Sequence, residues 1–122
     1  MLEEKLHVPV MLQEVLDFLK PSPGQIIVDA TLGTGGHSLE ILKMITPGGR
    51  LVGIDRDENS LAICRQRLSA FKDNTEFVHA NFADLDQVLG KLGIKEIDGI
   101  VFDLGISSYQ LQDAQRGFSF QE

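Results

Sequence analysis

Positive charge is scarce in this chain: 11 Lys and Arg stand against 18 Asp and Glu, for a net charge of −7. Phosphate contacts supply most non-specific affinity for nucleic acid, and proteins that bind it unaided carry a basic patch. Only a loose group, Arg56, Arg65, Arg67 and Lys72, comes near one. A nucleic-acid partner would therefore be held by surfaces mostly outside this chain. Cysteine occurs once, as Cys64, which excludes an internal disulfide; its spacing from Leu61, Leu68 and Phe71 places it on an apolar helix face, as core. His7 and His79 have no Cys or carboxylate cluster at metal-ligand spacing beside them and read as structural, so no metal is expected. No apolar run is long enough to span a bilayer and no cleavable leader pattern appears. A soluble, cytoplasmic protein without a membrane partner is expected. No Gly-Lys-Ser/Thr follows the glycines, which excludes a P-loop.

With 122 residues, 43% of them hydrophobic, the chain can build one globular domain with a real core. Helical and extended patterns alternate. Met11, Leu12, Val15, Leu16 and Leu19 form an apolar stripe that Pro9 can start and Pro21 ends. Strands are expected near 25–30, 51–55, 75–79 and 97–102. Between them fall helices carrying Leu39, Leu42 and Ile45, then a helix running through Ala70, then one with Leu85, Val88, Leu89 and Leu92 at i, i+3, i+4, i+7 spacing. Strands alternating with helices imply an α/β fold with a parallel sheet of about four strands, right-handed crossovers, and ligands at the strand C-terminal ends. The apolar segment Arg116-Gly117-Phe118-Ser119-Phe120 has nothing after it to pack on, and four strands make a small sheet, so the chain is expected to be truncated.

One stretch points to a ligand: Val28-Asp29-Ala30-Thr31-Leu32-Gly33-Thr34-Gly35-Gly36-His37. It reads as a buried strand, a carboxylate at its end, and a glycine loop entering a helix. Gly33, Gly35 and Gly36 let the backbone turn tightly and approach a ligand with no Cβ in the way. The helix start offers unpaired N–H groups and the positive end of its dipole. A dinucleotide fingerprint, G-x-G-x-x-G, would need glycine where Ser38 stands. Asp29 suits a positively charged cofactor instead, and S-adenosylmethionine carries both a sulfonium and an α-amino group. A βα turn without a ligand is the plainer alternative.

About 20 residues on, the strand Leu51–Asp55 ends where a ribose-binding carboxylate belongs. An ionised carboxylate can accept from both ribose hydroxyls. Asp57 is the better N-cap for the next helix, which leaves Asp55 free for the ribose. The fourth strand ends in Asp103, so Asp29, Asp55 and Asp103 line one rim of the sheet. Asp103 can accept the protons of an exocyclic amine and aim its lone pair at a methyl donor, an orienting and general-base role. Its alternative is a bond to the loop backbone. Phe82, just past the third strand, divides between adenine stacking and core packing, and Asn81 beside it can bond an adenine amino group. His37 is placed for contact through its backbone N–H, with a ring that can simply be solvated.

Four segments together, His7-Val8-Pro9-Val10-Met11, the Asp29–His37 motif, Asn81-Phe82 and Asp103–Phe120, resemble the bacterial ribosomal RNA small-subunit methyltransferase H family. The resemblance runs over nearly the whole chain. It implies a Rossmann-like class I fold and S-adenosyl-L-methionine-dependent methylation of N4 of a cytidine in 16S rRNA, with the small ribosomal subunit as partner. By motif, Gly35, Gly36 and His37, with Gly33 in the same loop, would touch the cofactor, Asp55 the ribose and Phe82 the adenine. Asp103, as catalytic residue and cofactor contact, and Gln110 would complete the methionine end. It also implies that residues 1–122 are the N-terminal part of a catalytic domain, cut before an inserted helical domain and the remaining strands. Alone, such a fragment is expected to be inactive, to leave the fourth strand with an unpaired edge, and to self-associate through that edge or through Phe118 and Phe120. Tyr109 stands where the family carries proline, and Gln112 where it carries an acidic residue. Two other readings stay open: a cofactor-binding module without catalysis, and a nicotinamide-dependent oxidoreductase.

Overall fold

Alternation of side chains along four short strands decides the architecture. In the computed structural model, which describes residues 12–30, 32, 35–102 and the backbone of 105–107, Ile27, Leu51 and Val101 enter one core. Their neighbours Val28, Val52 and Ile100 enter another on the opposite face. Successive strand residues point to opposite faces, so a strand apolar at both parities must be covered on both sides. The result is three layers. Helices α1 (Leu12–Leu19), α2 (Gly36–Ile45) and α3 (Glu58–Arg67) supply the first core through residues such as Val15, Ile41 and Leu61. Helix α4 (Leu85–Lys91) supplies the second through Leu85, Val88 and Leu89.

Strands β1 (Ile26–Asp29), β2 (Arg50–Asp55), β3 (Thr75–His79) and β4 (Gly99–Phe102) are parallel, in the spatial order β3-β2-β1-β4. The central β1 pairs Val28 with Val52 on one side and with Ile100 on the other. The order reverses after β1, and in such sheets ligands bind beyond the carboxyl ends at this switch point. Asp29, Asp55 and His79 end their strands on that rim.

The four expected strands and their helices are found, with two corrections. The fourth strand does not present an unpaired edge: β5 (Gly105–Ser107) turns back and pairs antiparallel with β4, matching Phe102 to Gly105 and Ile100 to Ser107. The outer edge of the sheet on this side is β5 and not β4. The helix expected through Ala70 ends at Arg67 and gives way to two short 3₁₀ turns over Ser69–Asn74, separated by a kink at Phe71, whose N–H bonds the Leu68 carbonyl three residues back. Phe71 packs against the core at this kink. Among the described residues no helix is long and apolar enough to cross a membrane.

Candidate functional site

Among the described residues, the turn after β1 is marked by Gly35 and a buried polar pair. Gly35 sits at φ 90°, ψ 15°, in the left-handed region that L side chains avoid, and caps α2 without a side-chain hydrogen bond. A Cβ there would lie 3.4 Å from Cys64 Sγ. The Gly35 N–H bonds the Leu32 carbonyl at 2.7 Å, and Leu39 N–H bonds Gly35 O at 2.9 Å. Leu32 is itself buried against β2: a Cβ on Gly53 would come within 2.8 Å of its Cδ1. Gly53 thus makes the space that seats the loop on the sheet.

Beneath this turn Asp29 is fully buried, and Ser38 Oγ, equally buried, donates to its Oδ2 at 2.7 Å. A buried carboxylate persists only when hydrogen-bonded. Ser38, which in the sequence marked only a departure from the dinucleotide fingerprint, ties α2 to the end of β1. The spacing of nine residues from Asp29 carried no signal of this, because the bond exists only once the loop closes. The Asp29 carboxylate is thus engaged inside the turn by Ser38. Cys64 lies below, and burial pushes its thiol up to about 11, reinforced by the negative charges of Asp29 and Asp55 and opposed by Arg67.

His37, second residue of α2, is half-buried, and its ring is not simply solvated: Nε2 is buried and has no hydrogen-bond partner among the described residues. Buried polar atoms are paired in the great majority of proteins, and an orphan calls for an explanation such as a ligand.

At the end of β2, Asp57 is the N-cap of α3, as expected, accepting from the Asn59 N–H at 2.9 Å. Asp55 is not left free by that division of labour. Its Oδ1 accepts the Asp57 N–H at 2.8 Å, an Asx-type turn that orients the carboxylate at the rim. Phe82 takes the core reading in part. It packs against the second core and stacks on Phe102 with ring centroids 5.4 Å apart, yet stays partly exposed. Asn81 Oδ1 accepts the Ala83 N–H at 3.1 Å, capping the 3₁₀ turn Phe82–Asp84. The structure thus brings Gly35, Gly36, His37, Asp55 and Phe82 to the carboxyl ends of β1, β2 and β3. Gly33, Asp103 and Gln110 lie outside the described residues, as do Tyr109, Gln112, Phe118 and Phe120.

A model of the MraW methylase family matches residues 4–122. A relative from Dictyoglomus thermophilum, named ribosomal RNA small subunit methyltransferase H, is 49% identical over 117 residues, covering 96% of this chain and 39% of that protein. The chain thus spans about two fifths of that relative's length. Among solved structures, TrmN from Thermus thermophilus matches with a TM-score of 0.60 at 25% identity, over 74% of this chain and 26% of that one. A geranyl diphosphate methyltransferase in complex with SAM matches with a TM-score of 0.53 at 23% identity, over 61% of this chain and 30% of that one. The fold is that of Rossmann-like methyltransferases, and the nicotinamide oxidoreductase alternative falls with these matches.

Proposed function

The chain belongs to the MraW methylase family, and on that premise we propose that it supplies the S-adenosylmethionine site of an enzyme that methylates N4 of a cytidine in 16S ribosomal RNA. The rim residues fit the cofactor. The observation that carries the reading is the buried, unpartnered Nε2 of His37 beside the left-handed turn at Gly35. An imidazole nitrogen can donate to a carboxylate or accept from an amino group, and the methionine end of the cofactor has both. Gly35 and Gly36 shape the turn beside the methionine end, Asp55 receives the ribose hydroxyls, and the exposed side of Phe82 covers the adenine. Gly33 and Gln110 complete the set by motif.

When bound, S-adenosylmethionine supplies the methyl group from its sulfonium. This chain's own residues bind and orient. The N4 lone pair of cytosine is delocalised into the ring. Asp103, which follows β4 in the sequence, accepts an amine proton and holds the nitrogen on line, a positioning role with general-base assistance. Its attraction for the sulfonium stabilises the ground state as well, so orientation is its useful contribution. The acidic balance of the chain supports an RNA surface supplied elsewhere, and a length two fifths of the named relative supports reading residues 1–122 as the cofactor-holding part of a larger catalytic domain. Its proposed setting is the cytoplasm, with the small ribosomal subunit as partner. Base extrusion or an open assembly intermediate would expose the cytidine.

The test is transfer of labelled methyl to small subunits by the protein at its full natural length. Asp103→Ala should lower kcat about a hundredfold or more while S-adenosylhomocysteine still saturates it. Full activity in that variant would remove Asp103 from the chemistry. No transfer by the unsubstituted protein would favour a cofactor-binding module instead.

A further inference from the structure

His79 is the last residue of β3 and the register partner of Asp55 on β2. Its two ring nitrogens meet two oxygens from a neighbouring turn. Nε2 lies 2.9 Å from the backbone carbonyl oxygen of Arg56, and Nδ1 lies 2.9 Å from Glu58 Oε2. A carbonyl and a carboxylate are both acceptors only, whereas a neutral imidazole owns a single N–H. The neutral ring satisfies one contact and turns a lone pair toward the other oxygen. The imidazolium satisfies both.

The two anchor points, on Arg56 and Glu58, flank Asp57 directly after Asp55. Asp55 Oδ1 accepts the Asp57 N–H and Asp57 Oδ1 accepts the Asn59 N–H, which ties the Asp55 carboxylate to the anchored turn. We propose that His79 is a positioning residue for cofactor binding, its doubly protonated ring clamping the turn between β2 and α3 and so holding Asp55 at the ribose. This rests on the assignment of Asp55 to the ribose.

The charged groups around the ring are mixed in sign. Glu58 comes from α3, Asp55, Arg56 and Asp57 belong to the turn, and Asp84 of the 3₁₀ segment and Lys91 of α4 line a groove that His79 shares. The clamp is complete when the ring is charged and loses one contact when the ring is neutral. Because His79 and Glu58 are 51% and 70% exposed, solvent screens the pair and the effect is small.

The experiment is calorimetric titration of S-adenosylhomocysteine into the full-length protein at pH 5.5 and 8.0, for the unsubstituted form, His79→Gln, Glu58→Gln and Asp55→Ala. Glutamine keeps a neutral donor and cannot charge, so the affinity ratio of unsubstituted protein to His79→Gln isolates this ring from His37. That ratio should be about threefold at pH 5.5 and near one at pH 8.0, with Glu58→Gln following the same pattern. A ratio that does not change with pH would overturn the clamp. Unchanged affinity in Asp55→Ala would instead overturn the ribose assignment beneath it, and the two failures are read from different variants.

Discussion

After β1 the strand-end carboxylate, Asp29, is wholly buried and accepts a buried hydroxyl from Ser38, with Gly35 and Cys64 packed around it. After β2 the corresponding carboxylate, Asp55, reaches the surface and accepts a main-chain N–H of its own turn, with exposed Asp57, Glu58 and His79 around it. Both turns follow a parallel strand and both lead into a helix. They differ in what water can replace. In the first, no solvent is available if a partner is lost, so the geometry is held by groups whose removal is costly. In the second, water can substitute for nearly every contact, so single changes are mild and the turn can be adjusted. A rigid seat for the glycine loop and an adjustable one for Asp55 suit a site that must hold the charged end of a cofactor closely and receive its ribose.

The comparison can be broken by removing one group from each side. Ser38→Ala strips the buried hydroxyl from Asp29 and should cost about 2–3 kcal/mol in urea denaturation, as for hydrogen bonds to charged groups. A loss below about 1 kcal/mol would mean that the first turn is no more rigid than the second.

Alkali gives the next largest effect. The buried Cys64 thiol, pushed up to about 11 from an ordinary 9.0, keeps its proton in the folded state while the unfolded chain releases it. Its folded value is raised, so the contribution is fully present below pH 9 and is lost as pH climbs toward 11. The folded protein should lose about 2 kcal/mol relative to Cys64→Ala between pH 8 and 11. Parallel stability curves for the two proteins over that interval would contradict a dry environment under the glycine loop.

On the exposed side, Asp57→Ala removes the N-cap of α3 and should cost about 1 kcal/mol, less than Ser38→Ala in the same assay. A cost equal to that of Ser38→Ala would erase the distinction between the two turns.

Much of this was legible in the residues themselves. Apolar runs ending in Asp29 and Asp55 marked β1 and β2, and the 3.6-residue spacing of Leu85, Val88 and Leu89 marked α4, because burial imposes those periods locally. The N-cap at Asp57 was legible for the same reason: its bond spans two residues. Strand β5 was not, since three residues are too few to show alternation and its pairing with β4 supplies the order. The bond from Ser38 to Asp29 was hidden behind a motif comparison that asked only whether position 38 was glycine. His79 read as structural, and its two contacts, 23 and 21 residues back along the chain, come from parallel pairing that no local pattern encodes.

Calorimetric titration with S-adenosylhomocysteine, run beside NADH and an Asp55→Ala control, tests the central claim most directly. The account predicts saturable binding of S-adenosylhomocysteine, at least a tenfold loss, about 1.4 kcal/mol, in Asp55→Ala, and none with NADH. Saturable NADH binding, or an Asp55→Ala protein that holds S-adenosylhomocysteine as tightly as the unsubstituted one, would contradict it.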